Sequence, residues 1–282
     1  MSIDKRLLDK IKLVRSKVKK SELLSSIFDE DFFKDVKKQI IEKKDKPGPL
    51  ISIFIWLIDD IDNDGSQIDS LEKYLQLIIS HPGSKKKHIN DLKAQLRGNQ
   101  ALEALFEISV IGNLLNAFGN EKISLYPKTT NNRNVELSIR VIEREVFIEV
   151  TALMESKKDR EERERVYCEC GDFRVGPLCM EYYSTRFESK LRCKSNQFPS
   201  EKPTALMVYI FDFWPDRWAI EDALKDNHFE RVGLLLQFRR KKLVGVFDDK
   251  EIFDENNSLT PKEKECLVSF FSGEEYKPLY YL

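Results

Sequence analysis

The stretch from Asn134 to Leu153, NVELSIRVIEREVFIEVTAL, decides how the second half of this chain folds. In its first part, Val135, Leu137, Ile139 and Val141 alternate with polar residues, which is the period of a half-buried β-strand. A short polar joint separates this part from a second apolar run, VFIEVT. The stretch therefore predicts two adjacent β-strands.

Each of the two predicted strands carries a carboxylate, Glu136 on the first and Glu149 on the second. Glu149 stands between Ile148 and Val150, and a buried carboxylate without a partner loses several kcal/mol of hydration. Alternation places Glu149 and Thr151 on one face of the strand and the two aliphatic residues on the other. An acid at such a position indicates that another group binds it.

The composition is that of a globular chain with a heavily charged surface. The 282 residues allow one large domain or two, and 41% of them are hydrophobic and 34% charged. The 47 basic residues balance the 48 acidic residues. Binding of nucleic acid would therefore require a local basic patch, since no global field attracts polyanions.

Three features indicate where the protein resides. The first 20 residues are charged throughout and show no secretory signal. The longest apolar run, Leu50–Ile58, is about half as long as a bilayer span. An odd number of cysteines, five, argues against a disulfide framework. We therefore expect a soluble, cytoplasmic protein without membrane contact.

Residues 1–95 are predicted to form an N-terminal α-helical domain. Helical spacing and the breakers that follow predict helices over Ser21–Lys44 and Asp69–Ile79, after a first helix near the N-terminus. Leu50–Ile58 is a buried helix or strand, and its periodicity does not decide between them. Ser84–His88 is interpreted as a linker or the start of a helix.

Residues 96–282 are predicted to form an α/β domain with a Cys-containing insertion at about 155–180. Besides the two strands above, the pattern predicts, in chain order, a helix over Gln100–Phe118, a strand over Lys122–Tyr126, a helix over Met180–Phe198, a strand over Ala205–Phe211, a helix over Trp218–Lys225 and a strand over Val232–Phe238. Thr260, Pro261 and Glu263 form a capping box that begins a C-terminal helix.

A third acid, Glu107, lies on the helix that precedes these strands. Apolar residues at spacings of three and four share its side of the helix, so packing this side on the sheet would aim Glu107 at Glu136 and Glu149. Three carboxylates at one sheet edge are suited to a hard divalent cation, Mg²⁺ or Mn²⁺. Such an ion can activate water and neutralise charge on a phosphodiester.

With these residues the chain resembles the PD-(D/E)xK nuclease superfamily over roughly residues 98–240. The resemblance rests on the helix with its inward acid, a strand that begins with an acid and a hydrophobic-Glu-hydrophobic strand. A later helix that ends in KLRCKSNQF, Lys190–Phe198, completes it. It implies a restriction-endonuclease-like fold, in which helices flank a mixed sheet, and a metal-dependent nuclease that hydrolyses phosphodiester bonds, with DNA as the implied substrate.

The family's site residues correspond to particular positions of this chain. Its helix acid corresponds to Glu107, and its strand acid corresponds to Glu136, or to Asn134 if the register is shifted by two. Its (D/E)xK motif corresponds to Glu149-Val150-Thr151. Gln197 resembles a glutamine that some relatives place near the substrate. By this resemblance Glu136 and Glu149 hold the metal with the assistance of Glu107.

The chain departs from the family at two positions. The usual strand aspartate is Glu136, and the usual lysine is Thr151, whose hydroxyl can bond a water molecule but carries no charge. Some members of the superfamily supply the lysine from the following helix. Here Arg186, Lys190 and Lys194 lie four apart on one helical face, and we favour Lys190.

The same residues also have a structural interpretation. Glu107 would then pair with a core arginine, Glu136 would face solvent and Glu149 would lie on an edge strand. The rival function is a catalytically inactive nuclease-like module that binds nucleic acid or a protein partner. In either case the N-terminal helical domain is expected to select the substrate or a partner, which includes a second copy of the chain in a homodimer.

Two further patterns resemble metal sites only in part. Cys168, Cys170, Cys179 and Cys193 lack the paired C-x-x-C spacing of zinc knuckles, so thiols without a metal are favoured. The run Asp60–Gly65 resembles the start of a calcium loop but lacks the glutamate that ends one. A turn that ends one helix and caps the next is favoured there.

Overall fold

The structure of the protein is a computed structural model, and not every part of the chain is described by it. The described residues are 3–42, 49–98, 100–129, 133–153, 180–210, 224, 228–239 and 242–279. The predicted insertion at about 155–180 lies outside these residues except for its last residue. Most of the helix predicted over Trp218–Lys225 also lies outside them.

The first part of the described chain is helical, as predicted. Its helices are α1 (Ile3–Val18), α2 (Glu22–Ile27), α3 (Glu30–Glu42), α4 (Pro49–Asn63), α5 (Ser66–Ser80) and α6 (Lys86–Arg97). The ambiguous run Leu50–Ile58 is thus helical. The single helix predicted over Ser21–Lys44 is wrong, because Asp29 interrupts it. The Asp29 carboxylate accepts a hydrogen bond from the Phe32 backbone N–H at 2.9 Å, and this cap begins a new helix.

The second part of the chain is mixed α/β. Its elements are α7 (Ala101–Phe118), β1 (Ile123–Leu125), β2 (Leu137–Val141), β3 (Arg144–Leu153), α8 (Met180–Ser195), β4 (Thr204–Ile210), β5 (Leu234–Arg239), β6 (Lys242–Phe247) and α9 (Pro261–Ser272). Within the described residues the strands form a six-stranded sheet in sequence order. The pairs β3–β4 and β4–β5 are parallel and the others are antiparallel. The predicted mixed sheet flanked by helices is confirmed, and β6 is an additional strand that the sequence did not predict.

The register of β2 against β3 leaves the second half of β3 open on one side. Leu137, the first residue of β2, pairs with Ile148 of β3. Beyond that pair, β3 continues through Glu149 to Leu153 without a β2 partner. Glu136 immediately precedes β2, and its carboxylate accepts a hydrogen bond from the Val150 backbone N–H at 3.3 Å. The two strand acids therefore meet where β2 begins.

Two hydrophobic clusters cover the two faces of the sheet. The larger cluster combines buried residues of the N-terminal helices, α7 and α9 with Ile148 and Val150 of β3. The smaller cluster contains Phe147 of the same strand and Phe187 and Leu191 of α8. By alternation, Glu149 lies on the α8 side of the sheet. The predicted domain boundary near residue 95 falls inside α6, and the division into two domains stays a prediction.

Helix α7 is the most apolar structural element beside the acids. Among the described helices it is the one long and apolar enough to cross a membrane, with a mean hydropathy of 1.3 over 18 residues. However, 67% of this segment is buried inside the protein. Such burial is that of a core helix in a soluble protein, which agrees with the expected solubility.

Close packing of α7 on α5 depends on Gly112. A Cβ atom at this position would lie 2.3 Å from Cβ and Cγ of Tyr74. The Tyr74 ring is held in place, because its hydroxyl lies 3.0 Å from both Asn113 Oδ1 and the Lys277 carbonyl oxygen and shares its one proton between these two acceptors. We expect Gly112→Ala to lower the free energy of unfolding in urea by about 1–3 kcal/mol, because the added methyl group forces the helices apart.

The matched control for this change is Gly98→Ala at the end of α6. There the nearest atom to an added Cβ is 3.4 Å away, an ordinary contact. Its unfolding free energy should stay within about 0.5 kcal/mol of the wild type. Equal stability of the two variants would contradict the close approach of α5 and α7.

The predicted capping box of α9 is confirmed, and it is tied to the sheet. The Thr260 backbone N–H donates to Glu263 Oε2 at 2.7 Å, and Arg144 Nε of β3 donates to Glu263 Oε1 at 2.7 Å. Burial acts to raise the pKa of Glu263, but its bonds with Arg144 and Thr260 outweigh burial and lower it. Its folded-state pKa is therefore below its unfolded value.

This shift predicts how stability depends on pH. A carboxyl with a depressed folded-state pKa contributes stability that is present above its unfolded pKa, near 4.5, and is lost as the pH falls through the folded value. We expect the unfolding free energy of Glu263→Gln, measured by urea titration, to fall less steeply with decreasing pH below that value than the unfolding free energy of the wild type. Glu265→Gln, at an exposed position of the same helix, should show the pH dependence of the wild type. A wild-type pH dependence in Glu263→Gln would contradict the role given to Glu263.

Candidate active site

A buried pair of carboxylates and one ammonium group form the centre of the candidate site. The side chain of Glu149 is 0% exposed and that of Glu136 is 14% exposed. Lys194, from the last turn of α8, reaches both, with Nζ 2.8 Å from Glu136 Oε1 and 2.7 Å from Glu149 Oε2. The sheet supplies the acids and the helix packed on it supplies the cation.

The surroundings of the two acids shift their pKa values in opposite directions. Burial and the neighbouring charge of Glu136 raise the pKa of Glu149 well above its usual value. Burial also acts to raise the pKa of Glu136, but the Lys194 charge and hydrogen bonds from Glu149 and Lys194 bring it below its usual value. Glu136 therefore ionises more readily than Glu149, because two neighbouring buried carboxylates repel each other when both are charged.

The ammonium of Lys194 lies between the two acids and pairs with both. Burial acts to lower the pKa of Lys194, but the carboxylates of Glu136 and Glu149 outweigh burial and raise it. Lys194 is thus charged at neutral pH. Its positive charge compensates carboxylate charge in this hydrogen-bonded group, and this compensation lowers the free-energy cost of burying the three side chains.

The third predicted acid, Glu107, lies beside this pair on α7. Tyr126, which follows β1, donates its hydroxyl to Glu107 Oε1 at 3.4 Å. Burial, followed by the charge of Glu136, raises the pKa of Glu107 to about 8. The acid on the helix and the acid before β2 are therefore close enough for their charges to affect each other.

Thr151, which stands where the family motif has lysine, contacts a different acid. It is fully buried, and its hydroxyl donates to Glu103 Oε1 of α7 at 3.1 Å. Lys190 Nζ lies 3.1 Å from the same oxygen. The structure thus places Lys190, the lysine that the sequence favoured, on Glu103. Lys194, one turn further along α8, is the lysine that bonds the strand acids.

Gln197, two residues after the end of α8, lies next to the strand acids. With its amide oriented so that the nitrogen donates, Gln197 bonds Glu149 Oε1 at 2.9 Å and the Asn134 backbone carbonyl at 3.3 Å. Both oxygens of Glu149 thereby have partners, one in Lys194 and one in Gln197. The amide fixes the orientation of the buried carboxyl.

The donor chemistry of the pair fits a hard divalent cation. Among the described residues, no group of three or more His, Cys, Asp or Glu side chains is arranged to hold a metal. Mg²⁺ often takes only one or two protein carboxylates and fills its other positions with water and phosphate oxygens. Glu136 and Glu149 meet that smaller requirement, and Glu107 adds a third acid beside them. The Lys194 ammonium already supplies one positive charge there.

The two weaker metal patterns have different outcomes. Cys168, Cys170 and Cys179 lie outside the described residues, and Cys193 is exposed on α8 without a disulfide. In the calcium-like run, the Asp60 carboxylate accepts hydrogen bonds from the backbone N–H groups that begin α5, at 3.0 and 2.8 Å. The predicted turn that caps the next helix is therefore confirmed.

A cavity of about 220 Å³ opens beside the acids. Glu107 and Glu136 line it together with Tyr126, and α6 supplies a further part of its wall. Buried acids with displaced pKa values at a cavity are characteristic of functional sites.

Compared with known proteins, the chain matches no protein family, no curated protein and no solved structure.

Proposed function

We propose that the protein is a metal-dependent nuclease that hydrolyses phosphodiester bonds, with DNA as the expected substrate. The carrying observation is the Glu136–Glu149 pair, buried beside a cavity and held by Lys194 at 2.8 and 2.7 Å. Burying two acids and an ammonium is expensive in free energy, and an apolar trio of similar volume would often be at least as stable. A catalytic role accounts for this arrangement.

In this proposal Glu136 and Glu149 hold Mg²⁺ or Mn²⁺, and Glu107 assists from α7. The ion would supply an activated water molecule and neutralise charge on the phosphodiester. Lys194 provides the charged donor that Thr151 lacks, from the following helix instead of from the strand. Thr151 and Lys190 both bond Glu103 and so fix α7 and α8 beside the acids.

A second candidate is a nuclease-like module that binds nucleic acid or a protein partner without cleavage. The observation that favours it is the position of Lys194, whose ammonium already bonds both acids. A divalent cation would have to displace that ammonium from at least one carboxylate. If it does not, the three side chains have only a structural role, and the surface beside them binds nucleic acid or a protein partner without cleavage.

The test is cleavage of plasmid DNA, single-stranded DNA and single-stranded RNA with Mg²⁺, Mn²⁺ or EDTA. We expect the wild type to cleave at least one DNA substrate with either metal and none in EDTA. Glu136→Gln should be inactive, which excludes a contaminating nuclease, whereas the exposed Glu143→Gln at the β2–β3 turn should be active. Equal cleavage by all three proteins would contradict the catalytic role of Glu136. DNA binding without cleavage would favour the binding module.

A further inference from the structure

One side of α6 forms part of the wall of the cavity beside the acids. His88, Asp91 and Gln95 line the cavity from this helix, at spacings of three and four that place them on one side. The volume of about 220 Å³ is that of about seven water molecules at roughly 30 Å³ each. This space is sufficient for a planar ring with a few polar substituents.

His88 is part of this wall. Its ring packs against the Tyr126 ring with the centroids 4.0 Å apart and the ring planes tilted by 40°, and its Nδ1 is buried without a hydrogen-bond partner among the described residues. Burial, followed by the charge of Lys85, lowers the pKa of His88, so the ring is neutral at neutral pH and has one donor and one acceptor nitrogen. Because the ring lies in the cavity wall, its NMR signals report a ligand that binds there.

The charges around the cavity indicate which part of a nucleic acid fits. Asp91, Glu107 and Glu136 line it, and its described lining contains no lysine or arginine. A phosphate would be repelled there, whereas Lys190 and Lys194 lie on the α8 side of the acids. A neutral group that donates N–H bonds is favoured. Exocyclic amino groups of bases are such donors, and carboxylates and amide oxygens accept from them.

We propose that this cavity binds one unpaired nucleobase with an exocyclic amino group, with Asp91 and Gln95 as the recognising side chains. The inference rests on the proposed nuclease function for placing a phosphodiester next to the base. A base within a duplex has its pairing edge occupied, so the substrate is single-stranded or has a base turned out of the stack. Through α6, the N-terminal helical part then contributes to substrate choice.

The test compares two nucleosides that differ mainly at one position of the base. Deoxycytidine carries an amino group where deoxyuridine carries an oxygen. We titrate each into the full-length protein and follow the NMR signals of its three histidine rings. Deoxycytidine should shift the His88 signal with about tenfold higher affinity than deoxyuridine, as expected for one well-formed base contact.

Variants decide whether α6 provides this preference. Asp91→Ala and Gln95→Ala should each reduce the preference for deoxycytidine severalfold. Asp35→Ala, a matched change at an exposed position of α3, should leave it unchanged. Circular dichroism confirms that each variant is folded. Equal affinity for the two nucleosides, no binding of either, or an undiminished preference in both α6 variants would overturn the proposal.

Two further measurements separate this inference from the proposed function. If the protein cleaves oligodeoxycytidine and oligodeoxyuridine at equal rates and binds both nucleosides equally, the nuclease function is supported and the base site is contradicted. If the protein binds deoxycytidine more tightly but cleaves no substrate, the base site is supported and the nuclease function is contradicted. A His88 shift caused by Mg²⁺ alone, and by neither nucleoside, would assign the cavity to a hydrated cation and overturn base binding.

Discussion

Glu149→Gln is expected to abolish metal-dependent cleavage and to leave the protein folded. Glutamine has nearly the same shape as glutamic acid, and its one oxygen can still accept a hydrogen bond from Lys194 or from Gln197, though not from both. It cannot provide the carboxylate that a metal requires. The cleavage rate with Mg²⁺ should fall by about 10²- to 10³-fold or more, the loss typical of one preorganised electrostatic group.

The control for this prediction is Glu145→Gln, an exposed acid on the same strand. It should cleave at the wild-type rate and unfold at the wild-type urea concentration. Loss of cooperative unfolding in Glu149→Gln would indicate that the acid has a structural role. Full activity of Glu149→Gln would remove Glu149 from the catalytic residues.

Lys194→Met is expected to be the most destabilising change within the site. It removes the cation from a buried group whose Glu136 is ionised, and breaking a buried ion pair in this way costs about 3–5 kcal/mol. Lys190→Met should cost at most about 1 kcal/mol, because Lys190 and Glu103 are 35% and 20% exposed and water screens their pair. Urea unfolding of the two variants measures the contrast.

A double substitution tests the physical reason. Adding Glu136→Gln to Lys194→Met removes the charge that was left without a partner. The double variant should therefore be more stable than Lys194→Met alone, with a coupling free energy of about 1–3 kcal/mol. Additive effects of the two substitutions, or equal losses for Lys190→Met and Lys194→Met, would contradict the arrangement of charges described for the site.

Local patterns were sufficient to predict the elements that present the acids. Alternation identified β2 and β3, and helical spacing placed Glu107 on the inward side of α7. These signals repeat every two or three to four residues, so they survive without knowledge of the tertiary structure. The capping box at Thr260 was predictable for the same reason, because all of its groups lie within four residues.

The choice of lysine depended on information that the sequence lacks. Lys190 and Lys194 lie one turn apart on the same side of α8, so spacing favours neither. Which one reaches the acids is decided by where α8 crosses β3. Glu103 was not predicted although it precedes Glu107 by one turn, because it lies in the first turn of α7, where an acid is common for its interaction with the helix N-terminus.

Two structural elements were mispredicted for other physical reasons. The apolar pattern continues from α2 into α3, and the cap at Asp29 interrupts the helix without interrupting the pattern. β6 begins at Lys242, the last residue of a basic run, and its antiparallel pairing with β5 stabilises it. Such pairing is a tertiary interaction that a strand's own residues do not specify.

The central claim, that Glu136 and Glu149 can hold a divalent cation beside Lys194, is tested most directly by Mn²⁺ binding. Electron paramagnetic resonance measures free Mn²⁺ during titration of the full-length protein. We expect the wild type to bind one ion, and Glu136→Gln and Glu149→Gln to bind it at least tenfold more weakly, as loss of a charged ligand predicts. Absence of binding to the wild type, or equal affinity in all three proteins, would contradict the claim.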